Sequence, residues 1–385
     1  DVQNINYADR SLVIAGGDIR YPLPEVGASS LTSEGIRVTG PGSLTVIAGG
    51  DIDLGQSAGI RSNGNIDNVL LPEQGADISV LAGLAESINV DRFVATYFNG
   101  DTSSDVSGNA ALIDIDVAGY QQQLIDYVSD ETFGGDFISA LQDVTTDNYA
   151  SLDEAVSAFQ LLNEEQRLAV ALSAFDDSSI NDKRNLILSV LFNEVTTAAV
   201  AQAAAGNEEE YARGFLAINL LFGSASSDEQ VALTSTAIAD TDASGNITLP
   251  FSRVYSNAGG SINMLAPNGK MTVGFSADVT STASSSANAD PLGVVINGKG
   301  DLNVIVDGNI DVNLSRVLAL DGGDITLWSS NGDIDAGRGA KTALVIPPPT
   351  TRFVNGLAIT ENQPPVSGSG IGAATLSADS DDGSV

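Results

Sequence analysis

The chain has neither cysteine nor histidine. Without cysteine, no disulfide can close a loop and no thiolate can hold a metal. Without histidine, the commonest general base and the commonest zinc ligand are gone, and neither a Ser-His-Asp triad nor a Cys-His pair can form. Aromatic residues are few, with one Trp and eight Tyr, where sugar-binding clefts usually use such rings as stacking platforms. Positive charge is scarce too: 16 Lys+Arg stand against 50 Asp+Glu, a net charge of −34. A surface this acidic repels phosphate backbones and anionic lipid, so no nucleic-acid partner is expected. No apolar run approaches the ~18 residues that would cross a bilayer, so no membrane span is expected. The first residues, "DVQNINYADRSLVIAGG", do not read as a secretory signal but as mid-domain sequence, and suggest a processed product or a piece of something longer.

Glycine and repetition are what the chain has in quantity. "VIAGGDI" occurs at 13–19 and again at 46–52, and a relative, "VLAG", starts at Val80. The three starts are almost evenly spaced, by roughly 33 residues, as a repeat architecture requires. "GGDITLWSSNGDIDAG" at 322–337 aligns without a gap with "GGSINMLAPNGKMTVG" at 259–274, and "GDLNVIVDGNIDVNL" at 300–314 lies between them. In each unit the residues alternate: Ile325 and Leu327 fall on one face of a short strand, Asp324 and Thr326 on the other. Glycine and asparagine at the ends permit sharp turns. One such strand buries too little to stand alone. Stacked coils solve this by piling the aliphatic faces into a continuous column. The expected fold is therefore mainly β: a right-handed parallel β-helix, or solenoid, interrupted by an α-helical insertion. The echo of 259–274 in 322–337 suggests three coils of roughly 21 residues, and some twelve rungs of ~4.8 Å in all. A β-sandwich also uses short strands and turns, but does not require near-identical turns at repeated offsets.

The expected organisation is a first β-helical part at residues 1–118, a helical insertion at 119–239, and a second β-helical part at 240–385 with a Pro-rich loop and a polar tail. Across the insertion the period changes from 2 to 3.6, and four to six helices are expected. Ser151 with Glu154, and Asn163 with Gln166, read as capping boxes. A longer helix should end near Gly206. Another should start at Asn207 and stop at Gly223, with Tyr211, Phe215, Ile218 and Phe222 on one face. Pro347, Pro348 and Pro349 enforce an extended segment.

One stretch has the spacing of a ligand loop. In "DTDASGNIT", Asp240, Asp242 and Ser244 occupy positions one, three and five, Gly245 follows, and Asn246 could offer a carbonyl: the first half of a calcium loop. Phe251 stands where the closing glutamate would be, and a plain turn into the strand "NITL" is the simpler reading. Aspartates also recur beside the strands: Asp51, Asp53, Asp67, Asp77, Asp301, Asp311, Asp324, Asp333 and Asp335. Two of them stacked ~4.8 Å apart in water repel by roughly 1 kcal/mol, so salt or divalent cations are expected to stabilise the fold unless the side chains fan out into solvent. "VIAGGDI" is no phosphate loop, because it lacks the lysine and the following helix and because it recurs. Paired carboxylates could cleave glycosides on such a scaffold, but the sparse aromatic and basic residues argue against an enzyme.

Residues 40–83, "GPGSLTVIAGGDIDLGQSAGIRSNGNIDNVLLPEQGADISVLAG", and 322–349, "GGDITLWSSNGDIDAGRGAKTALVIPPP", closely resemble the C-terminal region of filamentous haemagglutinin-family proteins. The helical "EEYARGFLAINLLF" at 209–222 fits the same region. The resemblance implies export from Gram-negative bacteria by an outer-membrane two-partner secretion transporter. It also implies an extracellular or cell-surface location, and contact with host cells, neighbouring cells or matrix in adhesion or biofilm. The family's N-terminal secretion domain, with its Asn-Pro-Asn-Gly motif, has no counterpart here, and no catalytic residue is carried over. The alternative reading is a fibre subunit that self-associates head to tail.

Overall fold

The computed structural model describes residues 2–23, 35–65, 72–84, 89–100, 115–130, 137–206, 211–222, 245–274, 292–337, 344–345, 350–354, 357–361, 366–367 and 370–374. The chain divides into two units, one formed by Asp1–Glu86 with Thr241–Val385, the other by Ser87–Asp240.

The first unit is built on three parallel sheets, with strands numbered in chain order. The first sheet contains β1 (Val2–Gln3), β4 (Ile36–Thr39), β7 (Ile60–Ser62), β10 (Arg253–Ser256), β13 (Gly293–Asn297), β16 (Arg316–Leu320) and β23 (Gly370–Ala374). The second contains β2 (Arg10–Ala15), β5 (Ser43–Ala48), β8 (Asp77–Leu81), β11 (Ile262–Ala266), β14 (Leu302–Val306) and β17 (Ile325–Ser329). The third contains β3 (Ile19–Arg20), β6 (Ile52–Asp53), β9 (Ile247–Leu249), β12 (Met271–Val273), β15 (Ile310–Asp311) and β18 (Ile334–Asp335). The chain visits the three sheets in strict rotation through β18, so each strand pairs with the one three places further on. Six full passes result, and β23 adds a seventh strand to the first sheet.

Register explains the repeats. Val13 pairs with Val46 and Val46 with Val80, so the "VIAGGDI" copies lie directly on one another, and the step from one copy to the next is one pass. The echo of 259–274 in 322–337 is not three short coils. Ile262 pairs with Leu302, and Leu302 with Ile325, which makes it two passes, a long one and a shorter one. The count of twelve rungs falls accordingly: seven strands of the first sheet span six spacings, ~29 Å. The passes are thus of unequal length, not short uniform coils.

Alternate side chains of all three sheets meet in one core. Leu44, Ile52, Ile60, Ile78, Ile247, Ile262 and Ile310 are all fully or nearly fully buried within it. Burying each such side chain is worth ~1.5–3 kcal/mol. Ile325 and Leu327, on the last strand of the second sheet, are only partly buried against this core. Their expected outward neighbour Thr326, and Trp328 beyond it, are instead buried. Trp328 closes an apolar column on the other face of that sheet, through Ile305, Leu265, Leu81 and Ile47, all buried. Strict polar–apolar alternation does not anticipate this second column.

Glycines let the passes approach each other. At Gly59 (φ +81°) a Cβ would stand 1.9 Å from the Arg253 carbonyl oxygen, so no larger residue fits without moving a neighbouring strand. Among the described residues, antiparallel pairing occurs only in the excursion between β18 and β23. There β19 (Leu344–Val345) pairs with β22 (Val366–Ser367), and β20 (Thr350–Val354) with β21 (Leu357–Glu361). The triproline lies outside the described residues.

In the second unit seven helices are described: α1 (Val90–Tyr97), α2 (Val117–Ser129), α3 (Phe137–Thr145), α4 (Leu152–Phe159), α5 (Glu164–Asp176), α6 (Ile180–Ala205) and α7 (Ala212–Phe222). That exceeds the four to six expected, and α1 lies in a stretch read as β. The caps work as their residue types require. Ser151 accepts the Glu154 N–H, Asn163 and Gln166 form a reciprocal capping box, and Gly206 ends α6 with φ +65°. Glu154 itself reaches the Ala150 N–H, one residue short of the reciprocal bond expected with Ser151. The expected stripe on α7 is not what the helix buries: its residues from Leu216 to Phe222 are buried all round. In the chain, this unit enters between β8 and β9, at the turn from the second sheet to the third in the third pass.

Candidate functional site

The residues that enter the third sheet share one grammar. Gly-Asp-Ile stands at 17–19, 50–52 and 332–334, Gly-Asn-Ile at 245–247 and 308–310, and Gly-Lys-Met at 269–271. The middle residue is a stacking device. Asp18 Oδ1 accepts the Asp51 N–H at 2.8 Å, Asp51 Oδ1 accepts the Asn246 N–H at 2.9 Å, and Asn246 Oδ1 accepts the Lys270 N–H at 3.1 Å. Lysine has no acceptor, and the series stops there. It resumes where Asn309 Oδ1 accepts the Asp333 N–H at 3.0 Å.

The entry to the second sheet repeats the device. Asp77 Oδ1 accepts the Ser261 N–H at 2.7 Å, Ser261 Oγ the Asp301 N–H at 3.2 Å, and Asp301 Oδ1 the Asp324 N–H at 2.9 Å. Each oxygen meets a main-chain donor that the turn leaves outside the strand ladder. Asp53 and Asp335 close turns instead, accepting the N–H of Gly55 at 3.0 Å and Gly337 at 2.8 Å. Asp51, Asp53, Asp77, Asp301 and Asp335 are thus engaged with backbone. At the stack of Asp18 on Asp51, Arg20 lies 2.9 Å from Asp18 and 3.1 Å from Asp51. Asp67 lies outside the described residues.

Of the calcium-loop residues, Asp240, Asp242 and Ser244 lie outside the described residues. Asn246 belongs to the stack just described, and its carbonyl accepts the Ile52 N–H at 2.8 Å. No cluster of three or more metal-ligating carboxylates occurs among the described residues.

The second unit holds a buried ionic centre. Glu194 of α6 is fully buried and takes a bidentate contact from Arg213 of α7, with Nε and Nη2 each 2.6 Å from a carboxylate oxygen. The Tyr120 hydroxyl of α2 donates to the same carboxylate, and Asn193 Nδ2 donates to that hydroxyl at 3.0 Å. Tyr97 of α1 packs edge-on to Tyr120, ring centroids 5.5 Å apart. Burial, and then Glu194, push both phenols well above their ordinary range. The hydrogen bonds to Glu194 hold the Arg213 guanidinium further up. One carboxylate therefore joins elements from three helices, with a fourth packed alongside. The chemistry is that of a structural pin, since the carboxylate is saturated by its partners. At 26 residues, α6 is long and apolar enough to cross a membrane by length and composition alone, contrary to the expectation from apolar runs. Its buried Glu194 and Asp182, each hydrogen-bonded inside the unit, are what a core helix requires.

The described fold is a ladder of three parallel sheets together with a separate helical unit. Residues 322–385 match the family described as "Filamentous haemagglutinin family outer membrane protein". The matched stretch takes in β17 and β18, the antiparallel excursion and β23. No curated protein and no solved structure matches the chain.

Proposed function

We propose that this chain is a segment of a secreted, cell-surface structural protein with an adhesive role. In this reading the three sheets are the faces of a right-handed parallel β-helix, and the helical unit is its contact module. The observation that carries it is the unbroken register through six passes, together with the family match over residues 322–385. Stacked passes supply stiffness, acidic corners supply solubility, and neither requires catalysis. Export through a two-partner secretion transporter, and contact with host cells, neighbouring cells or matrix, follow from the family and belong to the whole protein.

The test compares a strain lacking the gene with one complemented by it. Surface labelling of the protein and a drop in attachment on deletion support the reading; retention inside the cell, or unchanged attachment, overturns it. A reducing-end assay on polysaccharides probes the enzyme alternative, and cleavage would replace the structural reading.

A second reading is head-to-tail self-association. The outer strands of the second and third sheets carry Arg10 and Arg20 on one edge, in the register columns that end on Asp324 and Asp335 at the other. Sedimentation velocity over a wide concentration range decides it, since a single species at every concentration excludes assembly of this segment.

A further inference from the structure

The first position of the first sheet carries an alternation of glycine and arginine. Arg253 aligns with Gly293, and Arg316 with Gly370, while Val294 and Val317 place Gly293 beside Arg316. Two arginines thus occupy equivalent places, each next to a glycine. They differ in what they meet. Arg253 Nε donates to the Ala58 carbonyl at 3.3 Å, across Gly59. Arg316 is the more buried, only 8% exposed, yet its Nε and Nη1 meet no hydrogen-bond partner among the described residues. Beside it Ser315, 2% exposed, has a hydroxyl in the same condition. The two are neighbours in space as well as in sequence, because a methyl built on Gly293 would lie 3.0 Å from both Arg316 Cγ and Ser315 Oγ.

A guanidinium does not shed its proton at any physiological pH, so it cannot escape burial by becoming neutral. Burial pulls its affinity for that proton down, and no carboxylate among the described residues offsets the effect. A buried charge without a partner is among the costliest features a fold can carry, so a natural one signals a partner from outside. With 50 acidic residues in the chain, a carboxylate at this corner would have been easy to supply.

We infer that Ser315 and Arg316 form a binding site for a single oxyanion, the carboxylate or sulfate group of an acidic ligand, at the entry to the first sheet. The guanidinium supplies paired N–H donors and charge, and the serine supplies a hydroxyl donor. A net charge of −34 makes non-specific anion binding elsewhere on the chain unfavourable.

The experiment is isothermal titration calorimetry on the full chain with inorganic sulfate, sodium glucuronate and neutral glucose, at ionic strength matched with chloride. Saturable binding of sulfate alone assigns a sulfate ester, of glucuronate alone a carboxylate, and of both an unselective oxyanion site. Each of these supports the site if Arg316→Met weakens binding at least tenfold while Arg253→Met does not. Ser315→Ala should weaken it about threefold. Circular dichroism checks that Arg316→Met folds. If it does not, Arg316→Lys, which keeps the charge but loses the paired donors, takes its place and should also weaken binding. No saturable heat from either anion with the unmodified chain overturns the site. So does equal affinity in the Arg316 variants, which leaves an adventitious ion only.

Discussion

Replacing Asp51 separates two accounts of the recurrent aspartates. If they are mainly like charges stacked in water, Asp51→Ala relieves repulsion from Asp18, and stability rises by roughly 1 kcal/mol. The structure argues for the opposite sign. Asp51 Oδ1 holds the Asn246 main-chain N–H at 2.9 Å and the Asn246 side-chain amide at 3.1 Å, and Oδ2 holds Arg20. A hydrogen bond to a charged acceptor contributes ~1.5–3 kcal/mol, and the exposed Arg20 contact ~0–1 kcal/mol. Allowing for water reaching this half-buried corner, Asp51→Ala should cost ~2 kcal/mol net of the relieved repulsion. Asp51→Asn keeps an oxygen for the N–H, as Asn246 and Asn309 do at equivalent corners, and should cost under ~1 kcal/mol. Urea unfolding followed by far-UV circular dichroism reads this directly. The Asp51→Ala midpoint should fall by ~1 M and the Asp51→Asn midpoint by much less. An alanine variant as stable as the unmodified chain, or more so, refutes the stacking role.

The other expectations are briefer. Glu194→Gln leaves the half-buried Arg213 against a neutral amide in a buried setting and should destabilise the helical unit by ~3 kcal/mol, read as an early transition in thermal unfolding. The Tyr120 hydroxyl has a folded pKa above its unfolded value of ~10. Its contribution is therefore complete below that unfolded value and is lost as pH rises toward and through the folded one, so stability should fall as pH climbs above about 10, and less so in Tyr120→Phe. Gly59→Ala sets a methyl against the Arg253 carbonyl and should cost ~3 kcal/mol or more, measured as loss of soluble folded chain or a large midpoint shift. If Asp240, Asp242 and Ser244 hold calcium, millimolar calcium raises the melting temperature above that in chelator and Asp242→Ala removes the rise; equal melting in both solutions excludes the ion.

Much of the ladder can be read directly from the residues. Val13 and Val46 pair because identical heptapeptides make identical strands and turns, and self-similarity reports stacking. The number of passes is harder to read, because the interval from Ile262 to Ile325 divides evenly into three, whereas the pairing splits it into two unequal passes at Leu302. Helix ends are legible where a side chain meets a specific backbone group, as at Asn163 and Gly206. Helix α1 is too short for a period of 3.6 to stand out from a β pattern. The role of Asp51 escapes the sequence because an outward aspartate looks the same whether it faces water or the next pass. Glu194 leaves only a faint trace, a lone acid inside the apolar run "NLILSVLFNEVTTAAV"; its partners Tyr120 and Arg213 sit on other helices. Arg316 leaves less, since nothing in "NLSRVLAL" tells a buried arginine from an exposed one.

The entry of the helical unit between β8 and β9 has an evolutionary consequence. Ile52 finds Ile247 across that whole unit as readily as Ile19 finds Ile52 across a single pass. Alignment is set anew at each turn by short-range amide contacts, so the linear distance between rungs carries no information that selection must keep. Such a frame can acquire, exchange or discard whole folded cargoes at a bend without shifting its phase. Diversification of these proteins is then expected to proceed by grafting at corners while the strands themselves stay in place.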